Sequence, residues 1–510
     1  MAISSEHPDY VERHPDWVIM RDTNAGQRKI KEKTVVYLPP TSGMVIDGLY
    51  SGNDKAAGVA AYNAYLSRAV FPNAVEDAVK VLVGALHRKP AKIELPAALE
   101  PMRKSATRKG ISLDNLLRQI NEQQLLTGRF GMLADVATGR DVPHLVTYDA
   151  ETIINWDDEN PAPFGVDKLQ MVVLKETVPT RGDDMFEWKS ETRYRVLLLQ
   201  ADFEQGEPGP AKYQTLTMVE EDGVEADPED SITPHFKGRT LDEIPFVIIG
   251  ANDLDVSPDS IPLLGLANYS LVVYRGEADF RSTLFMLGQD TLVVIGEETG
   301  EDDEPAKQTR VGVGAKISLP AQPGADAKFI GVNSDGLPEQ RHALVDDHTK
   351  LREMGSRLLE PRSGQAESGE ALKVRVAAQT STLLQTAVTA AAGLEQILRV
   401  CATWVGADPE QVKVIPNLDF AETKARTSEL RDLLDAREKG APLSYESIHA
   451  WAKANGFTDI EFEEEVAKLK AEKELNELLK PTPPEPTVAP GGGPPKPGQK
   501  PATDSNTNAQ

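Results

Sequence analysis

The chain has 510 residues, enough for several compact units around a sizeable buried core. Its 55 Lys and Arg against 80 Asp and Glu give a formal charge of -25, which argues against a protein that grips nucleic acid through a broad phosphate-neutralising face. The single cysteine, Cys401, excludes an intrachain disulfide and a thiolate-rich zinc site, and fits assembly in a reducing cytosol.

The first residues, from Ser4 to Arg13, are polar and charged, so no secretory signal is expected. The most apolar windows, such as 169–174 and 246–249, fall far short of the roughly 20 residues of a membrane span, and a soluble protein is expected. From Tyr62 to Arg88 apolar side chains recur at intervals of three and four, predicting helix punctuated by Pro72 and Pro90. A second helix is expected over 112–127, with Ser112 as its N-cap, Leu113, Leu116, Leu117, Ile120 and Leu125 on its buried face, and Gly128 at its end. Residues 130–136 then enter a strand.

Between Leu145 and Ile249 the pattern changes to short β-rich runs at 153–156, 169–175, 194–201, 213–219 and 246–249, predicting a mostly antiparallel region. The acidic connection 220–230 reads as a solvated loop. Helical spacing returns at Pro262 and continues through Leu266, Leu271, Tyr274, Ala278 and Phe285 to Leu287, one helix of about 39 Å. Strand-like runs at 291–295, 316–319 and 328–332 follow, with an acidic loop over 297–304. A further helix is expected over 338–358, then a polar loop over 360–369, then a helix over 370–405 whose alanine-rich middle permits close packing. Asp408-Pro409 should close it, and 418–420 resembles a short strand. Three charged helices over 423–439, 444–455 and 461–479 make a small separate unit, and the Pro/Gly-rich last 30 residues should be disordered.

Several fragments stand in a particular order: Tyr37-Leu-Pro-Pro40, Tyr62 to Tyr65, Arg68-Ala-Val-Phe-Pro-Asn73, Leu82-Val-Gly-Ala-Leu-His-Arg-Lys-Pro90, Gly128-Arg-Phe-Gly131 and Ala150-Glu-Thr-Ile-Ile-Asn-Trp156. In that order and spacing they resemble a family of tailed-bacteriophage portal proteins, the head-to-tail connectors. The resemblance implies an α+β subunit with a mixed α/β wing, a two-helix stem, a small β-containing clip, a long wing helix and a helical crown. On this chain it implies a wing over 1–261, stem helices over 262–289 and 334–358, and a clip over 290–333. A tunnel loop over 359–369, the wing helix and its return over 370–421, a crown over 422–480 and a tail over 481–510 complete the expected layout.

The function implied is non-enzymatic: a homo-oligomeric ring of twelve copies at one capsid vertex, assembled in the host cytoplasm, through which double-stranded DNA is packaged and ejected. The partners implied are the major capsid protein, terminase, and head-completion or tail adaptor proteins, with no membrane. Arg362 in the tunnel loop is the foremost candidate for a DNA contact, with Lys350, Arg352 and Arg357 on the second stem helix behind it. Solvated or inter-subunit salt-bridge roles compete with this reading for all four. The clip acids Glu297, Glu298, Glu301, Asp302, Asp303 and Glu304 are candidates for docking a partner, a plain hairpin tip being the alternative.

Catalytic signatures are missing. Gly312-Val-Gly-Ala-Lys316 lacks the Gly-Lys-Ser/Thr ending of a phosphate loop, and His342 with His348 lacks the spacing of a zinc hydrolase and reads as surface on a helix. No cofactor or metal is expected. Trp156, Trp188 and Trp404 fall near element ends, where packing competes with base stacking. Another virion structural protein of the head-tail junction, or a metal-dependent nucleic-acid-processing enzyme built on the acid clusters, are the competing functions.

Overall fold

The computed structural model describes residues 3–137, 142–157, 169–182, 184–204, 207–221, 224–225, 231–287, 291–295, 326–330, 335–356, 369–418, 427–454 and 457–478. The chain divides into two compact units, Met1–Ala421 and Glu422–Gln510.

The first unit opens with six helices: α1 (Pro8–Ala25), α2 (Gln27–Glu32), α3 (Ser42–Ile46), α4 (Ala57–Arg68), α5 (Ala74–Leu86) and, after the short strand β1 (Lys92–Glu94), α6 (Leu113–Thr127). The helical spacing from Tyr62 to Arg88 thus belongs to two helices. Pro72 supplies no N–H and holds Phe71 out of helical geometry, so the chain breaks there and restarts at Ala74. Helix α6 begins and ends as its sequence directs. The Ser112 hydroxyl accepts the Asn115 N–H at 3.3 Å, and Gly128, at φ 67°, closes the last turn by donating to the Gln124 carbonyl. A side chain at Gly128 would also meet the Ser260 carbonyl oxygen at 3.0 Å.

The β region follows: β2 (Arg129–Asp135), β3 (His144–Asp149), β4 (Ile153–Asp157), β5 (Met171–Arg181), β6 (Trp188–Glu204), β7 (Glu207–Glu221), β8 (Val224–Glu225) and β9 (Phe246–Gly250). Every ladder in it is antiparallel, in one sheet of order β3-β2-β9 and another of order β4-β5-β6-β7-β8. The expected runs underestimate β5 and β6. Past Leu174 and before Tyr194 these strands carry alternating or polar side chains, and their ends, Val178–Arg181 with Trp188–Glu191, pair beyond the reach of β7 as a two-stranded arm without a buried face.

Helix α7 (Leu264–Leu287) leads to the strands β10 (Thr291–Ile295) and β11 (Asp326–Ile330), which pair antiparallel, and then to α8 (Leu337–Ser356). Helix α9 (Gly369–Val405) has 37 residues, about 56 Å of helix. Its Leu383, Ala387, Ala391, Leu394, Leu398 and Cys401 recur at intervals of three and four and are buried on one face. The small residues bring it close to β9: a Cβ at Gly393 would lie 2.5 Å from the Ile249 side chain. Helix α9 ends at Gly406, φ 80°, before Asp408, whose carboxylate caps a short 3-10 turn at Pro409. The strand that follows is β12 (Lys413–Ile415), paired with β1, which the sequence does not mark; the expected strand over 418–420 lies outside the described residues except for Leu418. Val412 and Val414 are buried, Pro416 has no N–H to continue a ladder, and Leu418 lies outside any strand, with 419–420 beyond the described residues.

Two apolar clusters hold this unit together. The larger joins α1, α5, α6, both sheets, the start of α7 and the buried stripe of α9. The smaller packs Ile30, Tyr37, Leu38, Tyr62, Tyr65 and Phe71 around Leu271, Tyr274 and Ala278 of α7. The second unit contains α10 (Thr427–Glu438), α11 (Tyr445–Ala454) and α12 (Phe462–Leu478), matching the three expected charged helices to within a few residues. In it the Trp451 and Phe457 rings stack at 5.9 Å.

Candidate functional site

Helices α7 and α8 run antiparallel. A Cβ on Gly265 would contact Met354, Tyr269 bonds Asp347, and a Cβ on Gly276 would contact Leu344, so positions climbing α7 meet positions descending α8. Among the described side chains of α8, Leu344 and Leu351 are the buried ones, seven apart on one face.

The polar contacts of the pair centre on Glu277, whose side chain is only 12% exposed. Its Oε1 lies 3.0 Å from His348 Nε2 across the helix interface, and its Oε2 accepts Arg281 Nε at 2.6 Å from one turn along α7. Taking a carboxylate out of water is costly unless it is paired, and here a cation and a ring nitrogen pair it. His348 is therefore an interface residue, not the plain surface position its spacing suggested. Two turns earlier on α7, Tyr269 donates to Asp347 Oδ1 at 2.6 Å, and this bond to a carboxylate pushes the phenol up to about 12.

The candidate cations of α8 fall on different sides of the helix. Two residues apart on a helix, Lys350 and Arg352 project about 200° from one another. Lys350 lies over the Tyr269 ring, Nζ 4.6 Å from its centroid, a cation–π contact that turns it toward α7. Arg352 donates from Nε to the His348 carbonyl at 3.2 Å and lines a groove of about 500 Å³ between α8 and the start of α5. Pro72, Ala78 and Val81 form the other wall, so this cation faces α5 and the turn before it. The structure does not bring the two together. Arg357, Arg362 and the clip acids Glu297, Glu298, Glu301, Asp302, Asp303 and Glu304 lie outside the described residues, as do Gly312 to Lys316 and 481–510.

The tryptophans divide. Trp156 is buried, with its ring stacked on His7 at 4.0 Å and the Arg129 guanidinium over it at 3.9 Å. Trp404 is buried and donates to the Arg239 carbonyl at 3.0 Å, while Trp188 is exposed at the start of β6 beneath Arg181. Packing explains the first two. Cys401 is fully buried, and burial pushes its thiol up to about 12, so it is an unreactive core residue. Among the described residues no group of His, Cys, Asp and Glu could hold a metal ion, and no helix is long and apolar enough to cross a membrane.

Sequence reasoning missed the Glu277 network. The spacing of Glu277 and Arg281, i to i+4, was visible, but nothing in the chain pairs Glu277 with His348 71 residues away. It also missed α1, whose apolar positions Tyr10, Trp17 and Met20 follow helical spacing after a proline at the first turn.

Residues 262–405 match the family model of a domain of unknown function, DUF4055, a span that runs from just before α7 to the end of α9. No curated protein matches the chain. Among solved structures the chain is similar to a chain of the neck of an empty GTA particle computed with C6 symmetry, at 14% identity and TM-score 0.38, over 76% of this chain and 90% of that one. It is also similar to chains of the neck of a native GTA particle computed with C12 symmetry (15% identity, TM-score 0.37) and of the virion of a native gene transfer agent particle (15% identity, TM-score 0.36). Each of these two covers 81% of this chain and 93% of the other.

Proposed function

We propose that this chain is a portal subunit, one copy of a ring at a capsid vertex through which double-stranded DNA passes, and that it works as a conduit without catalysis. The observation that carries the reading is the run from α7 to α9: two antiparallel helices flank a paired-strand insertion, and a 37-residue helix follows them. The ordered N-terminal fragments quoted above support it independently. On this reading α7 and α8 are the stem, β10 and β11 belong to the clip, α9 is the wing helix and α10 to α12 the crown.

The charge suits the task. Each Lys or Arg that neutralises a phosphate adds affinity, so a strongly basic bore would hold the duplex, whereas an acidic chain with a few guiding cations lets it slide. Arg362 is the foremost guiding cation. Lys350 and Arg352 are held by Tyr269 and by the groove beside α5, and are weaker candidates for that role. The capsid protein, terminase and the head-completion or tail adaptor proteins are the proposed partners, the last two meeting the clip acids between Glu297 and Glu304. Negative-stain images of the purified chain test the reading. Large rings with a central bore are the expected result, and particles no larger than dimers across assembly conditions would refute it.

A further inference from the structure

An acidic chain that forms a ring must bring like-charged copies together, and the first unit carries a local exception to its charge. Residues 87–118 hold eight Lys and Arg against three acids, in a chain of net charge -25. The fold gathers these cations around the start of α6. Arg103 donates to the Ile93 carbonyl of β1 at 3.0 Å, and Asp114 of α6 acts electrostatically on both Arg103 and His87, which sits at the end of α5. Arg108 and Lys109 stand exposed at the tip of a tight turn closed by the Gly110 N–H to the Thr107 carbonyl. Among the described residues Lys104, Arg108, Lys109 and Arg118 have no carboxylate within ion-pair distance.

The other end of α6 has the opposite sign. The loop 250–259 contains three acids, Asp253, Asp255 and Asp259, and no Lys or Arg, and the one cation among the described residues that reaches it, Arg129, is buried and donates to the Val256 carbonyl at 2.8 Å. Gln124, in the last turn of α6, donates to the Gly250 carbonyl at 2.6 Å, and Gly128 abuts the backbone of Asp259 and Ser260, which fixes this loop at the helix C-terminus. Asp253 and Asp255 are exposed there, and their carboxylates bond only loop N–H groups among the described residues. The 15 residues of α6 separate the two poles by about 22 Å. That exceeds the screening length of about 8 Å at physiological salt, so the poles of one copy cannot neutralise each other.

We infer that the basic surface at the start of α6 docks the acidic 250–259 loop of a second copy of this chain, giving the ring a head-to-tail interface with a fixed direction. This rests on the ring-forming reading above. Two different patches meeting head to tail are what a closed cyclic assembly needs, and opposite charge sets their register while disfavouring face-to-face pairs. The competing occupant of the basic surface is duplex DNA.

The test uses the full chain with two charge reversals, Arg108→Glu with Lys109→Glu, and Asp253→Lys with Asp255→Lys. Each alone should lose the ring in negative stain and light scattering while melting like wild type. Mixed in equal amounts, the two should recover rings containing both, because the acidic surface of one then meets the basic loop of the other. Wild-type ring fraction should fall as NaCl rises from about 0.05 to about 0.5 M. Should a reversed variant melt abnormally, Arg108→Gln with Lys109→Gln and Asp253→Asn with Asp255→Asn replace it, and their rings should dissociate at lower salt than wild type. Unaltered rings in both reversals, a mixture of well-folded variants that stays unassembled, or neutral variants with wild-type salt dependence would each overturn the inference. So would a basic-surface variant that keeps its rings and loses only a wild-type affinity for a short DNA duplex. In all those cases wild type still forms rings; a wild type that never does so overturns the portal reading together with this one.

Discussion

Replacing Gly393 with alanine tests the closest approach in the core. The added methyl would sit 2.5 Å from both Cγ1 and Cδ1 of Ile249 and 3.2 Å from a methyl of Leu254. Ile249 is fully buried in β9, so it has no free volume into which to retreat. Overpacking of this kind costs about 1–3 kcal/mol, while the change from glycine to alanine within a helix returns about 1 kcal/mol, so the net loss spans about 0–2 kcal/mol and the coupling to Ile249 is the sharper readout. Ile249→Ala alone should cost about 2–5 kcal/mol by emptying the same space. The methyl of Gly393→Ala would then fill part of the void, so the double variant should lose less than the sum of the two by at least about 1 kcal/mol. Urea unfolding of the four proteins, followed by tryptophan fluorescence, measures this cycle. Gly393→Ala more stable than wild type, or strictly additive losses, would mean that α9 does not press on β9 at that point.

Proline at Ala387 should break α9 in its buried middle at a cost of about 3 kcal/mol or more and abolish rings, and normal rings would be incompatible with a continuous α9. Arg362→Glu should leave ring assembly intact and reduce packaged DNA, and unchanged packaged length and titre would remove Arg362 from the conduit. Cys401 should resist thiol reagents in the native protein and react on unfolding, since its thiol is buried and raised to about 12. The folded value lies above the ordinary 9.0, so the thiol's contribution to stability is complete below that pH and is lost as pH climbs toward 12. Rapid native labelling at neutral pH would contradict its burial.

Helices were legible where caps and periodicity agree. Ser112, the leucines after it and Gly128 state α6 almost completely, and the stripe from Leu383 to Cys401 states which face of α9 is buried. Periodicity alone did not locate the break between α4 and α5, because Pro72 had to be weighed as a stop and not as punctuation. The strand at Lys413 was hidden because its partner, β1, lies more than 300 residues earlier and only tertiary pairing marks it. The candidate site was legible as a pair of helices but not as a set of directions. Lys350 and Arg352 read alike in sequence, and it takes the Tyr269 ring on one side and the α5 groove on the other to separate them.

The antiparallel course of α7 and α8 has a bearing on how such a chain can change over time. Because one helix carries the chain out and the other carries it back alongside, whatever lies between Leu287 and Leu337 starts and finishes on the same pair of neighbouring helices. Its length and chemistry can drift, or be exchanged wholesale for another module, while the contacts of Gly265, Tyr269 and Glu277 with α8 stay as they are. For the ring subunit proposed above, an interchangeable cartridge on a fixed socket would let the docking end change without disturbing the helix pair that carries it.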